Sequence, residues 1–380
     1  MKIVYIVKSI AQLGGLDRVL TDKMNYLSEI KDHEILLITY EQGTHHISYP
    51  ISNRIKHIDL KIRFFTLCNK PIWKRLFMYL SMKFDFKKEL KTHIQNFQPD
   101  ILICMTDSFP LLDIILQIPG NHKKIVENHV DKCDYMKAPH YEQNKFLYPF
   151  LWLFDQYIIR QIKKCDKFVV LTRADYNDWK KCIQNIELIP NPITYIPNDI
   201  SLLDAKKIIS VGRLTHQKGY DLLIESWSIV SKKHPDWELY IYGDGSDRLV
   251  LESSINQKKL SNIYLCKATH DIYNKYLDSS IFVMSSRYEG FGLVLIEAMS
   301  CGLPCISFDC PSGPAEIITH EYNGIIVENG NINKLADGIC YLIENEVIRK
   351  EMGKNAKNSI FRYKKENIMS LWDNLFCNLN

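Results

Sequence analysis

Residues 281–308 read IFVMSSRYEGFGLVLIEAMSCGLPCISF, and this run decides the architecture. Ile281 to Met284 is a short, continuous apolar run of β type, and Pro304 to Phe308 is another. Between them the apolar pattern from Leu293 is helical and stops at Gly302 and Pro304, residues that commonly end a helix. Strands without polar alternation, joined through a helix, belong to a parallel sheet covered on both faces.

The same alternation extends in both directions. Toward the amino side of this run lie Lys207–Val211, Trp237–Tyr242 and Ile263–Cys266, and beyond it Gly324–Val327. Amphipathic patterns fill the gaps, for example Tyr220–Ser231 with Leu223, Trp227 and Val230 on one face. The first half repeats the scheme with Ile3–Val7, Ile35–Tyr40, Ile101–Met105, Lys124–Glu127 and Phe168–Leu171. Residues 190–199, PNPITYIPND, carry three prolines and no apolar periodicity, which marks a linker. Two open α/β domains are therefore expected, 1–190 and 191–361. The amphipathic run 362–380, with Ile368, Leu371, Trp372 and Leu375 at helical spacing, should pack back on the first.

With 380 residues, 46% hydrophobic and 24% charged, the chain suits two cores and excludes disordered, collagenous and fibrous classes. The eleven cysteines include no Cys-x-x-Cys pair. Cys301, Cys305 and Cys310 are interspersed with Leu303, Ile306 and Phe308, a pattern of small core residues rather than zinc ligands. Lys8 ends the first apolar run too early for a signal peptide, and no apolar stretch is long enough to span a bilayer. Phe146 to Ile159 carries Pro149 and Asp155 and reads as a buried or interfacial helix. A cytoplasmic location is the expectation.

Charge is unevenly spread. Residues 1–195 hold 28 basic and 21 acidic side chains, the remainder 20 and 23. Between Lys56 and Lys91 ten Lys or Arg face only Asp59, Asp85 and Glu89, interleaved with Phe64, Phe65, Trp73, Phe77, Tyr79, Phe84 and Phe86. Such a stretch fits a solvated helix face over core aromatics, a nucleic-acid patch, or an anionic membrane surface.

In open parallel sheets ligands bind beyond the carboxyl ends of the strands, so chemistry belongs in the loops that follow them. After the first strand, Gly14-Gly15 opens a helix and is either a turn or an anion cradle. After Lys207–Val211 comes Gly212-Arg213-Leu214-Thr215-His216-Gln217-Lys218-Gly219, either a solvated basic loop or two cations for one polyphosphate. Glu289 precedes the helix of the opening run, and Glu297 lies more than a turn inside it. A carboxylate in that apolar helix makes a salt bridge, reaches solvent, or accepts from a polyhydroxylated ligand. In the last case the Phe291, Gly292 and Leu293 amides would face an anion.

Taken in order along nearly the whole chain, Gly14-Gly15, Val169-Val170-Leu171-Thr172 with Asp175, Ile189-Pro190-Asn191-Pro192, Val211-Gly212-Arg213 with Lys218-Gly219, Tyr242-Gly243-Asp244-Gly245, and Glu289 with Glu297 as E-x7-E resemble retaining glycosyltransferases of the GT-B fold with a group 1 carboxy-terminal domain, glycosyltransferase family 4. The resemblance implies two Rossmann-like domains facing a central cleft, and a hexosyltransferase. It makes Arg213 and Lys218 the diphosphate pair, with Glu289 directed at the donor hexose and Glu297 at the ribose. Gly14, Gly15, Gly290, Phe291, Gly292 and Leu293 would line the donor, and the nucleobase would lie near Lys267 and His270. His129, in Val126-Glu127-Asn128-His129, matches the family histidine near the donor sugar. Asp107 and Ser108 occupy a strand end that would face acceptor or sugar.

No Asp-x-Asp occurs, and Asp244 and Asp247 sit in a Gly-rich turn, so neither metal nor other cofactor is expected. Cys310-Pro311-Ser312-Gly313-Pro314-Ala315-Glu316 resembles versions in bacterial transferases that build surface polysaccharides and lipid-linked glycans, many with UDP-sugars. The expected partners are thus a UDP-sugar, a saccharide or lipid-linked saccharide acceptor, and an anionic membrane at the inner face of the cell through residues 56–91, with no nucleic acid. The alternatives are a non-catalytic nucleotide-sugar-binding subunit and a sugar-nucleotide epimerase of the same fold.

Overall fold

Seven strands form the first sheet: β1 (Lys2–Val7), β2 (Glu34–Thr39), β3 (Lys56–Asp59), β4 (Ile101–Met105), β5 (Lys123–Glu127), β6 (Lys167–Val170) and β7 (Ile186–Leu188). All neighbours are parallel, in the order β3-β2-β1-β4-β5-β6-β7. The second sheet has six strands, β8 (Lys207–Val211), β9 (Glu238–Tyr242), β10 (Ile263–Cys266), β11 (Ile281–Met284), β12 (Cys305–Phe308) and β13 (Gly324–Val327). Its order, β10-β9-β8-β11-β12-β13, is also wholly parallel. These come from a computed structural model that describes residues 1–11, 14–69, 71–106, 111–129 and 148–379. The chain divides into two compact units, Met1–Leu171 with Asp175–Ile189 and Met369–Asn380, and Thr172–Ala174 with Pro190–Ile368.

Burial follows from the connections. Parallel neighbours need crossovers that lay helices on both faces of a sheet. Central strands such as β4, β11 and β12 are accordingly buried at every residue. Edge strand β3, Lys-His-Ile-Asp, has no buried residue and carries charge at both ends, which discourages pairing with another edge. In the first unit, Leu102, Val126 and Phe168 of the sheet share a core with Phe86, Leu90 and Ile94 of the helix Ile72–Phe97. In the second, Leu223, Trp227 and Val230 of the helix Tyr220–Lys233 lie over Leu239 and Ile241.

The stretch 56–91 is not one continuous helix. It opens with β3 and a turn of 3-10 helix, Phe64–Asn69, before the long helix begins at Ile72. The terminal helix, Lys365–Cys377, buries Ile368, Trp372 and Leu375 as its spacing predicts, but Leu371 is exposed. From Met369 this helix belongs to the first unit, where Asp373 pairs with Lys31 at 2.6 Å. Cys301, Cys305 and Cys310 are buried in the second unit. Among the described residues no helix is long and apolar enough to cross a membrane.

Trp227 is wholly buried, and its indole N–H donates to Asn262 Oδ1 at 3.1 Å. Trp227→Ala should lower stability by about 3–5 kcal/mol in a denaturant titration. A loss below 1 kcal/mol would show that the second core does not depend on it.

Candidate functional site

Where strand order reverses, successive crossovers leave in opposite directions and open a crevice at the carboxyl ends of the strands. In the second unit the reversal lies between β8 and β11, so the loops after those strands share the crevice. They are the basic loop 212–219 and the loop 285–292, which carries Arg287 and Glu289.

These two loops are joined at several points. Lys218 Nζ lies 2.6 Å from Glu289 Oε1, and the Ser286 hydroxyl donates to the same oxygen at 2.6 Å. The pair is little exposed, 15% for the Lys218 side chain and 7% for that of Glu289. Ser285 Oγ donates to the Lys218 carbonyl at 2.9 Å, and Gln217 Nε2 to that of Tyr288 at 3.2 Å. Arg287 spans the join with a two-pronged contact to Asp221, 2.8 and 2.6 Å, and a bond to the His216 carbonyl. Burial would raise the Asp221 carboxyl, but its hydrogen bonds and charge interaction with Arg287 outweigh that and hold it below the usual carboxylate range. Arg213 is exposed at the start of the basic loop, with one guanidinium nitrogen 3.3 Å from Gln217 Oε1.

Two glycines permit this closeness. Gly219 has φ +62°, and a Cβ there would sit 2.1 Å from the Ser285 carbonyl oxygen. Gly313, at φ +130° in the loop after β12, would bring a Cβ within 2.6 Å of the Phe291 carbonyl oxygen. Glu289 N–H also donates to Pro311 O at 3.3 Å, so three strand-end loops meet at this one residue.

The other sequence-predicted residues fall around this centre. Gly290 and Gly292 lie in the loop 285–292, and the helix Leu293–Ser300 begins directly after Gly292. Phe291 is buried against Tyr363, ring centroids 5.5 Å apart, so its side chain serves packing. Glu297 is half-buried in that helix and receives the Tyr276 hydroxyl at 3.4 Å. Lys267 and His270 are exposed on the loop after β10. Arg248 clamps the start of this loop, donating to the Gly243 and Cys266 carbonyls at 2.6 and 3.1 Å.

In the first unit the strand order reverses between β1 and β4. Gly14 precedes the helix Gly15–Glu29, and a Cβ on it would meet nothing within 4 Å. Among the described residues, packing does not demand this glycine. Asp107 and Ser108 lie outside the described residues. His129 follows β5, its side chain 9% exposed, with Nε2 3.2 Å from Glu127 Oε2. Next to it, Asn128 N–H donates to Val169 O at 2.8 Å and its side-chain amide to Asp175 at 3.3 Å. Asp175 of the Val169–Asp175 pattern thus fixes the loop that carries His129.

Ser286, Arg287, Asp221, Gln217 and Arg248 were not singled out from the sequence. Ser286 and Arg287 lie three and two residues before Glu289 in the opening run, and that nearness is a usable signal. Asp221 and Arg248 sit on ordinary amphipathic helices, and nothing local distinguishes them.

Residues 197–359 match the model of the family described as glycosyl transferases group 1. Over 378 residues the chain is 28% identical to an uncharacterized glycosyltransferase of Haemophilus influenzae, covering 98% of each. It is 35% identical over 227 residues to the poly(ribitol-phosphate) alpha-N-acetylglucosaminyltransferase of Staphylococcus aureus, covering 58% of this chain and 46% of that one. A crystal structure of S. aureus TarM, in complex with Fondaparinux, alpha-GlcNAc-glycerol and UDP, superposes with a TM-score of 0.79 at 21% identity, covering 99% of this chain and 100% of that one. The second unit thus matches the group 1 glycosyltransferase family model, and the chain has the GT-B fold.

Gly219→Ala should cost about 1–2 kcal/mol from the left-handed backbone alone, and more from the clash with Ser285. Chemical denaturation measures it, and an unchanged midpoint would mean that the two loops are not held at this distance.

Proposed function

We propose that the protein transfers a hexose or N-acetylhexosamine from a UDP-sugar to a saccharide acceptor, with retention at the anomeric carbon, during assembly of a cell-surface glycan. The observation that carries this reading is the Lys218–Glu289 contact at the strand-order reversal, with Arg213 on the same loop as Lys218. A site that holds cations and a hydrogen-bond-accepting carboxylate within one crevice suits a ligand that is diphosphate at one end and polyol at the other.

In this reading the glycosidic C1–O bond lengthens toward an oxocarbenium-like sugar and an anionic leaving phosphate. Arg213 and Lys218 stabilise that charge where it develops. The acceptor oxygen bonds to C1 on the face the phosphate leaves, and its proton passes to the departing phosphate oxygen. Glu289 orients the hexose, Glu297 accepts from the ribose, and Lys267 and His270 border the base. His129, Gly14 and Gly15 are assigned to the donor on the family resemblance. The two cations take the part a divalent metal plays elsewhere, so neither metal nor organic cofactor is required. The UDP in the TarM complex supports the donor, and the poly(ribitol-phosphate) relative supports a polymeric acceptor.

A lipid-linked acceptor is supported by the surface of the first unit. On the helix Ile72–Phe97, Trp73, Leu76, Phe77, Leu80 and Phe84 form one exposed stripe, continued by Lys87, Lys88 and Lys91. The helix Tyr148–Ile162 exposes Trp152, Leu153, Phe154 and Tyr157. Asp113 joins the two helices, pairing with Lys83 of the first at 3.2 Å and hydrogen-bonding Tyr157 of the second. Aromatic residues bordered by lysines fit the headgroup level of an anionic bilayer, at about 1 kcal/mol per basic residue.

Nucleotide release from a panel of nucleotide sugars, with and without acceptor, tests the reaction. Arg213→Ala and Lys218→Ala should each lower kcat by about 100-fold or more, and EDTA should leave the wild-type rate unchanged. Wild-type turnover in the double variant would remove the assignment. Binding without release would identify a non-catalytic subunit, and sugar interconversion without transfer an epimerase.

Co-sedimentation with vesicles should rise with anionic lipid content and fall with salt. Trp73→Ser with Phe77→Ser should abolish most of it. Binding independent of lipid charge would count against this surface.

A further inference from the structure

Glu127 ends β5 with 2% of its surface exposed, and both its oxygens are engaged. Oε1 receives the Lys23 ammonium in a short contact, and Oε2 lies 3.2 Å from His129 Nε2. Lys23 is itself buried, its ammonium 4.1 Å from the centre of the Trp372 ring and 5.3 Å from that of Tyr5. Burial would push the Glu127 carboxyl up, but Lys23 and His129 outweigh it and keep the group below its ordinary range.

A buried ion pair is a weak source of stability, since desolvation offsets most of the attraction. This one has a third member at a strand end. A carboxylate only accepts hydrogen bonds, so the His129 nitrogen facing Glu127 must carry the proton. In the neutral ring that leaves Nδ1 as an acceptor. Resting on the proposed transfer reaction, we infer that Glu127 is the positioning residue of His129: it fixes the ring through Nε2–H and presents Nδ1 to receive a hydroxyl of the donor sugar. Lys23 serves as the counter-ion that keeps this carboxylate charged inside the unit, and Trp372 of the terminal helix covers Lys23.

Long-range nitrogen–proton NMR of histidine-labelled wild-type protein, with His129 assigned by His129→Ala, reads the tautomer without any substrate. A proton on Nε2 is expected, and one on Nδ1 overturns the inference even if transfer is confirmed. Kinetics supply the second arm. Lys23→Met with Glu127→Gln keeps an acceptor for Nε2 and should hold kcat within about threefold of wild type. Lys23→Met with Glu127→Leu should lose about as much kcat as His129→Ala, with the donor KM changed less than threefold. Adding His129→Ala to that pair should cost nothing more, because coupled residues are not additive. Multiplying losses, or equal losses in the Gln and Leu pairs when thermal unfolding shows both folded, would make Glu127 merely structural. No nucleotide release from any nucleotide sugar by wild type would instead sink the transfer reading, leaving the tautomer to decide the positioning.

Discussion

The contact between Lys218 and Glu289 ties two strand-end loops of the second unit together. The two residues come from loops on adjacent strands, and the pair is almost removed from water. Breaking a buried pair by removing one partner costs about 3–5 kcal/mol, because the remaining charge is stranded. The backbone must therefore bring the loops within ångströms of each other, which is why a glycine stands at position 219 and why Ser285, Gln217 and Arg287 all bond across the join. The apolar strands beneath supply the rigid base on which this polar layer is registered.

The first unit holds its own strand-end charge differently. There the carboxylate of Glu127 has a fixed ammonium and a histidine and is nearly closed to solvent, whereas Arg213 in the second unit is exposed. A closed cluster can set the orientation of one ring. An exposed guanidinium presents several donors to an anion. The basic surplus of the amino-terminal half lies elsewhere again, on a helix whose opposite face carries Phe86, Leu90 and Ile94 into the core.

Much of this was legible in the sequence because parallel sheets impose long apolar runs. Eleven strands announce themselves that way, as do the linker prolines and the helix of the opening run. β3 and β7 do not: Lys56–Asp59 and Ile186–Leu188 are short edge strands, partly exposed, with no apolar run to mark them. Residues such as Glu289 and Glu297 stand out because a carboxylate is costly amid apolar neighbours. The partners that hold the site do not. Asp221 meets Arg287 across 66 residues and Lys23 meets Glu127 across 104, so only the folded chain joins them. Leu371 shows the converse: its spacing is right for burial, yet it faces solvent.

The first unit is discontinuous, with Met369–Asn380 separated from the rest of it by the whole run Pro190–Ile368. At about 5–20 residues per second, a ribosome needs on the order of 10–40 s to make that intervening stretch. Throughout that interval Lys23 and Glu127 can meet, but Trp372 has not yet been made to cover them. The second unit, whose strands are contiguous in sequence, is free to finish first. The first unit is thus completed only by a segment made after the whole of the second.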